Sequence, residues 1–147
     1  MKFSSFIAVL ITSLSFNVAA HDLSIDQLVF SKAWVKAPMP GMQMTAGFVD
    51  IENKSDEDAR LVAVKTNISK ISELHTMMMV DNVMQMRQVK DGWVIPAGET
   101  LRLAPGGNHA MLMGVSGDLK GQTEVILEYK IEGLGWISVP SKLHMAH

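Results

Sequence analysis

The sequence predicts an all-β fold, a sandwich or barrel of short strands, and three observations carry that prediction. From Leu28 onward, short stretches of alternating apolar and polar residues are cut by turn residues. No run of about a dozen residues holds a 3.6-residue period. Gly, Pro, Asn and Asp recur between the stretches as turn signals. A chain of 147 residues suffices for one ordinary domain with a real core and not for two.

Residues 1–20 stand apart from that domain. Lys2 gives a basic start, Phe6-Ile7-Ala8-Val9-Leu10-Ile11 opens an apolar run ending near Phe16, and Asn17-Val18-Ala19-Ala20 supplies small residues. This is the pattern of a secretory signal peptide cleaved after Ala20, so the mature protein is expected outside the cytoplasm, in the periplasm. The apolar run is too short to span a bilayer comfortably, so no membrane insertion is expected after cleavage. With no cysteine, attachment of lipid at a lipobox is excluded as well.

Residues 21–140 form the expected domain. Val49-Asp50-Ile51-Glu52 alternates, and Asn53-Lys54-Ser55-Asp56 is a turn. Leu61 to Val64 reads as a buried strand. Asp91-Gly92, Pro96-Ala97-Gly98 and Pro105-Gly106-Gly107-Asn108 are further turns. Thr123, Val125, Leu127, Tyr129 and Ile131 share one face of a late strand, with Glu124, Glu128, Lys130 and Glu132 opposite and Ile126 breaking the alternation. Residues 141–147 read as a short appendage containing His144, Met145 and His147.

Charge and sulfur content narrow the function. Removing Lys2 from the 13 basic residues leaves 12 against 15 acidic ones, a formal charge of −3. The basic residues are scattered, which gives neither nucleic acid nor an anionic membrane a patch to bind. Absence of cysteine in an oxidising compartment removes both a disulfide framework and a thiolate metal ligand. Sulfur is present instead as thioether: setting Met1 aside, eleven of the 12 methionines lie in the mature chain.

Two constellations carry chemistry. In the first, Asp81-Asn82 is a hairpin turn, both residues tolerating unusual backbone angles. A turn centred there sets Met77 opposite Met86 and Met79 opposite Met84. Period-two alternation places His75 on the same face, diagonal to Met86. One hairpin face thus presents His75, Met77, Met79, Met84 and Met86. In the second, His109-Ala110-Met111 follows a glycine-rich turn, with His109 and Met111 on one side of an extended chain and Met113 further along it.

Two imidazoles and at least two thioethers, without a thiolate, favour Cu(I). Thioethers are soft and suit a soft d¹⁰ cation, whereas zinc prefers thiolate, imidazole and carboxylate. A blue-copper electron-transfer site needs a cysteine and is excluded. Methionine also fills core gaps, and packing is the role assigned to Met78 and Leu112 on the opposite faces. What favours ligation elsewhere is the coincidence of two His-x-Met arrangements, at His75 and at His109, on strand-like segments.

These residues resemble the periplasmic copper chaperones of the PCuAC family. The spacing reads His75, ten residues, Met86, 22 residues, then His109-Ala110-Met111. It is one residue longer than the family's usual pattern, and the extra residue falls in the turn-rich segment 90–108, where insertion is tolerated. Ala33-Trp34, Ile51-Glu52-Asn53, Glu73-Leu74-His75, Met84-Gln85-Met86-Arg87, Ile95-Pro96-Ala97-Gly98 and Leu103-Ala104-Pro105-Gly106-Gly107 extend the resemblance over roughly residues 28–140. It implies a cupredoxin-like Greek-key β-sandwich binding one Cu(I) through His75, Met86, His109 and Met111. Met77, Met84 and Met113 are then neighbouring or substitute donors.

The resemblance further implies a metallochaperone that delivers copper to a respiratory oxidase, at a CuA-type centre, through contact with an oxidase subunit or another copper chaperone. Cleavage after Ala20 exposes His21 as an amine-imidazole chelate, and His144, Met145 and His147 resemble the His/Met-rich tails of some members; both ends are candidate Cu(II) sites. Two other readings compete: a copper-sequestering resistance protein with no dedicated acceptor, and a copper oxygenase built on N-terminal His21. No Ser-His-Asp arrangement, phosphate loop or paired carboxylates support an enzyme. The chain is expected to act as a monomer.

Overall fold

Alternation along the chain becomes pairing in the computed structural model, which describes residues 22–116 and 119–145. The signal peptide expected over 1–20, His21 and His147 lie outside the described residues. Eleven strands follow in order: β1 (Leu23–Ile25), β2 (Leu28–Lys36), β3 (Met44–Asn53), β4 (Ala59–Thr66), β5 (Ser69–Val80), β6 (Val83–Gln88), β7 (Trp93–Ile95), β8 (Thr100–Leu103), β9 (His109–Val115), β10 (Glu124–Ile131) and β11 (Gly135–His144). No helix occurs among the described residues.

The strands bond in the order β6-β5-β9-β3-β2-β11-β10-β4-β7, with β1 on β2 and β8 on β3. Non-consecutive neighbours such as β9 beside β3 mark the crossing connections of a wound all-β domain. The inner faces enclose one core. Phe30, Ile51, Leu61, Ile95, Leu127 and Tyr129 are fully buried in it, and each of the aliphatic side chains and Phe30 contributes about 1.5–3 kcal/mol. Gly47 lies where a Cβ would come within 2.5 Å of the buried Leu127 methyl, so β3 passes the core closely there.

A bulge in β2 decides what the outer face carries. Ser31 pairs with Asp50 but Trp34 with Phe48, and Lys32 takes φ 52° between them. Leu28 and Phe30 point inward before the bulge, Val35 and Ala37 after it. The slip in alternation turns Trp34 outward, where its ring lies 4.5 Å from that of Phe48.

Two expectations need correction. Residues 141–144 are not an appendage: β11 runs through Pro140 to His144, and Lys142–His144 pair in parallel with Trp34–Lys36 of β2. Pro140 does not end the strand because it precedes the stretch that bonds to β2. Met78 is not packed but 50% exposed. Pairing of β5 with β9 stops at His75, so among the described strands the far end of β5 pairs only with β6, as a two-stranded arm.

Candidate metal centre

The arm is held in register by its turn. Asp81 and Asn82 both take positive φ, 50° and 63°, the I′ conformation whose twist matches a two-residue hairpin. Met77 therefore faces Met86, Met79 faces Met84, and His75 faces Gln88. On its other side β5 pairs with β9, setting His75 directly opposite His109 and Glu73 opposite Met111. The two imidazole rings lie 5.9 Å apart, centroid to centroid. Nitrogens that each bind one ion at about 2.0–2.1 Å are compatible with rings at that separation.

Each ring has one nitrogen engaged and one free. His109, 5% exposed, places Nδ1 2.9 Å from the Gly107 carbonyl, so Nδ1–H donates and Nε2 keeps its lone pair. His75 places Nε2 2.7 Å from Glu73 Oε2. That leaves His75 Nδ1 buried with no hydrogen-bond partner among the described residues. A buried imine nitrogen with no donor beside it keeps its lone pair for another partner. The loop before His109 is pinned to β5, because Thr76 Oγ1–H donates to Asn108 Oδ1 at 2.7 Å.

Thioethers complete the donor set. Met77, Met86, His109 and Met111 line a cleft of about 680 Å³ between the arm, the outer face of β3 and β9, and the end of β11. His75 is not in the cleft wall; its side chain is 13% exposed. Among the described residues no group of three or more His, Cys, Asp or Glu converges. A metal held here thus takes imidazole nitrogen with thioether sulfur, a donor set that fits Cu(I).

The LpqE-like family, named for a lipoprotein, matches residues 28–140. The chain belongs to that family. This LpqE-like chain is 37% identical over 119 residues to the similarly named Lxx21020 of Leifsonia xyli subsp. xyli, covering 80% of this chain and 70% of the relative. Its fold is that of PCuAC domains. The copper-bound PCuAC domain from PmoF2 superposes with a TM-score of 0.70 at 18% identity, over 86% of this chain and 99% of that domain. The apo PCuAC domain from PmoF1 gives 0.71 at 20%, over 86% and 100%. The Cu(I) form of DR1885 from Deinococcus radiodurans gives 0.60 at 29%, over 84% and 80%. The cupredoxin-like sandwich expected from the sequence is the fold observed.

The remaining candidates of the LpqE-like chain divide in two. Met84 sits at the tip of the arm, 48% exposed and outside the cleft, and Met113 pairs with Ile71 and Met44 further down β9. His144 and Met145 do reach the cleft, with the His144 ring stacked 4.9 Å from Trp34. Sequence reasoning assigned no role to Glu73, although a carboxylate two residues before a candidate ligand on the same strand face was a usable signal. It also passed over Met39, Met42 and Met44, which line the same cleft.

Proposed function

We propose that this protein is an exported Cu(I) carrier that holds one ion between His75, Met86, His109 and Met111 and releases it to an acceptor protein. The observation that carries the reading is the direct opposition of His75 and His109, each with a free ring nitrogen, beside the Met77–Met86 pair. Support comes from the likeness to DR1885, whose solved form holds Cu(I), and from the donor chemistry, since thioethers need no deprotonation to bind and stabilise the lower oxidation state.

Release follows from exposure. Met86 is 41% exposed at the cleft mouth, so an acceptor's ligand can replace its sulfur while His109 still holds the ion. Copper remains Cu(I) throughout, and no electron moves. The acceptor is a respiratory oxidase at its CuA-type centre, reached directly or through another chaperone, and the carrier works as a periplasmic monomer. Lipoprotein names in the family support export, though none of these 147 residues is a cysteine that could carry lipid. His144 and Met145 are accessory donors, with His21 and His147 available for Cu(II).

The test is an anaerobic Cu(I) titration against a chromophoric chelator, followed by mixing of the loaded protein with an apo CuA fragment. Binding that weakens in His75→Ala and Met86→Leu, with copper appearing on the fragment, is the expected result. Binding indifferent to both substitutions removes the carrier reading. Binding without transfer moves the assignment to sequestration.

A further inference from the structure

The connection between β2 and β3 carries a second set of soft donors that the His/Met centre does not use. Met39-Pro40-Gly41-Met42 is a closed turn: the Met42 N–H donates to the Met39 carbonyl at 2.9 Å, and Gly41 takes φ 81°. Pro at its second position and left-handed Gly at its third make it type II, which brings the ends within about 7 Å. Met44 opens β3 two residues on, facing outward opposite Met113. All three methionines line the cleft that holds Met86, His109 and Met111.

The segment is anchored at both ends. Ala37 N–H donates to the His144 carbonyl at 2.7 Å, Thr45 Oγ1–H donates to the Lys36 carbonyl, and Val115 N–H donates to the Gln43 carbonyl at 2.9 Å. Met39, Met42 and Met44 nonetheless stay 54%, 51% and 48% exposed. Packing does not account for an apolar residue type held three times at the surface within one ordered turn. Between Pro38 and Met44 there is no carboxylate, imidazole or thiolate, so the turn offers thioether alone.

We propose that Met39, Met42 and Met44 form a second, all-thioether Cu(I) site at the rim of the cleft, which receives the ion and passes it across to the His/Met centre. The identity of the ion rests on the carrier reading above; the site itself rests on the turn. Lacking an imidazole and standing nearer solvent, it binds more weakly than the inner centre and exchanges faster. Transfer is ligand substitution, each incoming sulfur or nitrogen displacing one thioether, and copper stays Cu(I).

The experiment is an anaerobic Cu(I) titration with chelators of graded affinity, combined with NMR of methionine methyl groups. It compares the wild-type protein with Met39→Leu/Met42→Leu/Met44→Leu and with His75→Ala/Met86→Leu. Leucine conserves volume, and the three rim positions are exposed, so matching melting curves verify the fold. Two equivalents are expected in the wild type, the weaker lost in the triple variant with the tighter retained, and the weaker kept in the His75/Met86 variant. One His75-dependent equivalent in the wild type, or two in the triple variant, overturns the rim site alone. No Cu(I) bound by the wild type overturns the carrier reading with it.

Discussion

His75 and His109 face each other across the β5–β9 pair, their rings 5.9 Å apart, although 33 residues separate them in the chain (109 less 76, counting those between). The opposition joins the two His-x-Met segments into one site, although the two rings are differently placed in it. His109 forms part of the cleft wall, whereas His75 is held behind a carboxylate. Replacing either with alanine is expected to weaken Cu(I) by at least about 100-fold, above what loss of an outer partner costs. Chelator competition at fixed pH measures it, and equal affinity in either variant refutes a shared ion.

Glu73 is the outer partner in question. Its carboxylate accepts from His75 Nε2–H and so fixes the tautomer that leaves Nδ1 free. Glu73→Ala is expected to cost roughly 10-fold in Cu(I) affinity, with Glu73→Gln recovering most of it because the amide oxygen still accepts. Nitrogen-15 shifts of the imidazole report the tautomer directly. An unaltered tautomer in Glu73→Ala shows that the carboxylate does not position the ring.

How much of this was legible in the sequence depended on the range of the contact. The Asp81-Asn82 turn sets the Met77–Met86 and Met79–Met84 pairs by local counting, and both registers are as the turn requires. The buried face of β10 followed from alternation alone, Val125, Leu127, Tyr129 and Ile131 all lying inside. Which strand flanks β5 on its other side is a long-range choice that no local pattern encodes, so the His75–His109 opposition was not legible without the resemblance. The β2 bulge is similarly hidden: Lys32 at φ 52° follows from no turn residue, yet it sends Trp34 outward to meet His144. Pro140 misled in the other direction, since its effect on a strand depends on where the partner begins.

Tyr129 predicts the alkaline limit of the fold. Its ring stacks on Phe30, and its hydroxyl is buried without a hydrogen-bond partner among the described residues. Burial disfavours the phenolate and pushes the Tyr129 hydroxyl up from its ordinary value. The unfolded chain ionises near pH 10 while the folded one keeps its proton, so the unfolded state binds fewer protons above that pH. This contribution is intact below about pH 10 and then falls by up to about 1.4 kcal/mol per pH unit until the folded hydroxyl itself ionises. Tyr129→Phe is expected to remove that part of the alkaline slope and to be neutral or stabilising at pH 7, since it deletes an unpaired buried hydroxyl. Urea midpoints between pH 8 and 11 decide it; an unchanged slope places the alkaline loss elsewhere.

The last prediction separates the turn from the ligands it presents. Asn82 holds φ 63°, a conformation that costs a β-branched residue roughly 1–2 kcal/mol and glycine nothing. Beyond His75 the two strands of the arm it closes pair only with each other among the described strands, so this cost is expected to loosen the β5–β6 pair before the core responds. Asn82→Val should therefore leave the main unfolding transition within about 1–2 kcal/mol of wild type while exposing the amides of β6 to hydrogen exchange. It should also weaken Cu(I), because Met86 is placed against Met77 by the register alone. Asn82→Gly should preserve both. Cu(I) affinity unchanged in Asn82→Val, with β6 amides demonstrably unprotected, would mean that Met86 is not a ligand and that the imidazoles draw their sulfur from Met111 and the opposite wall.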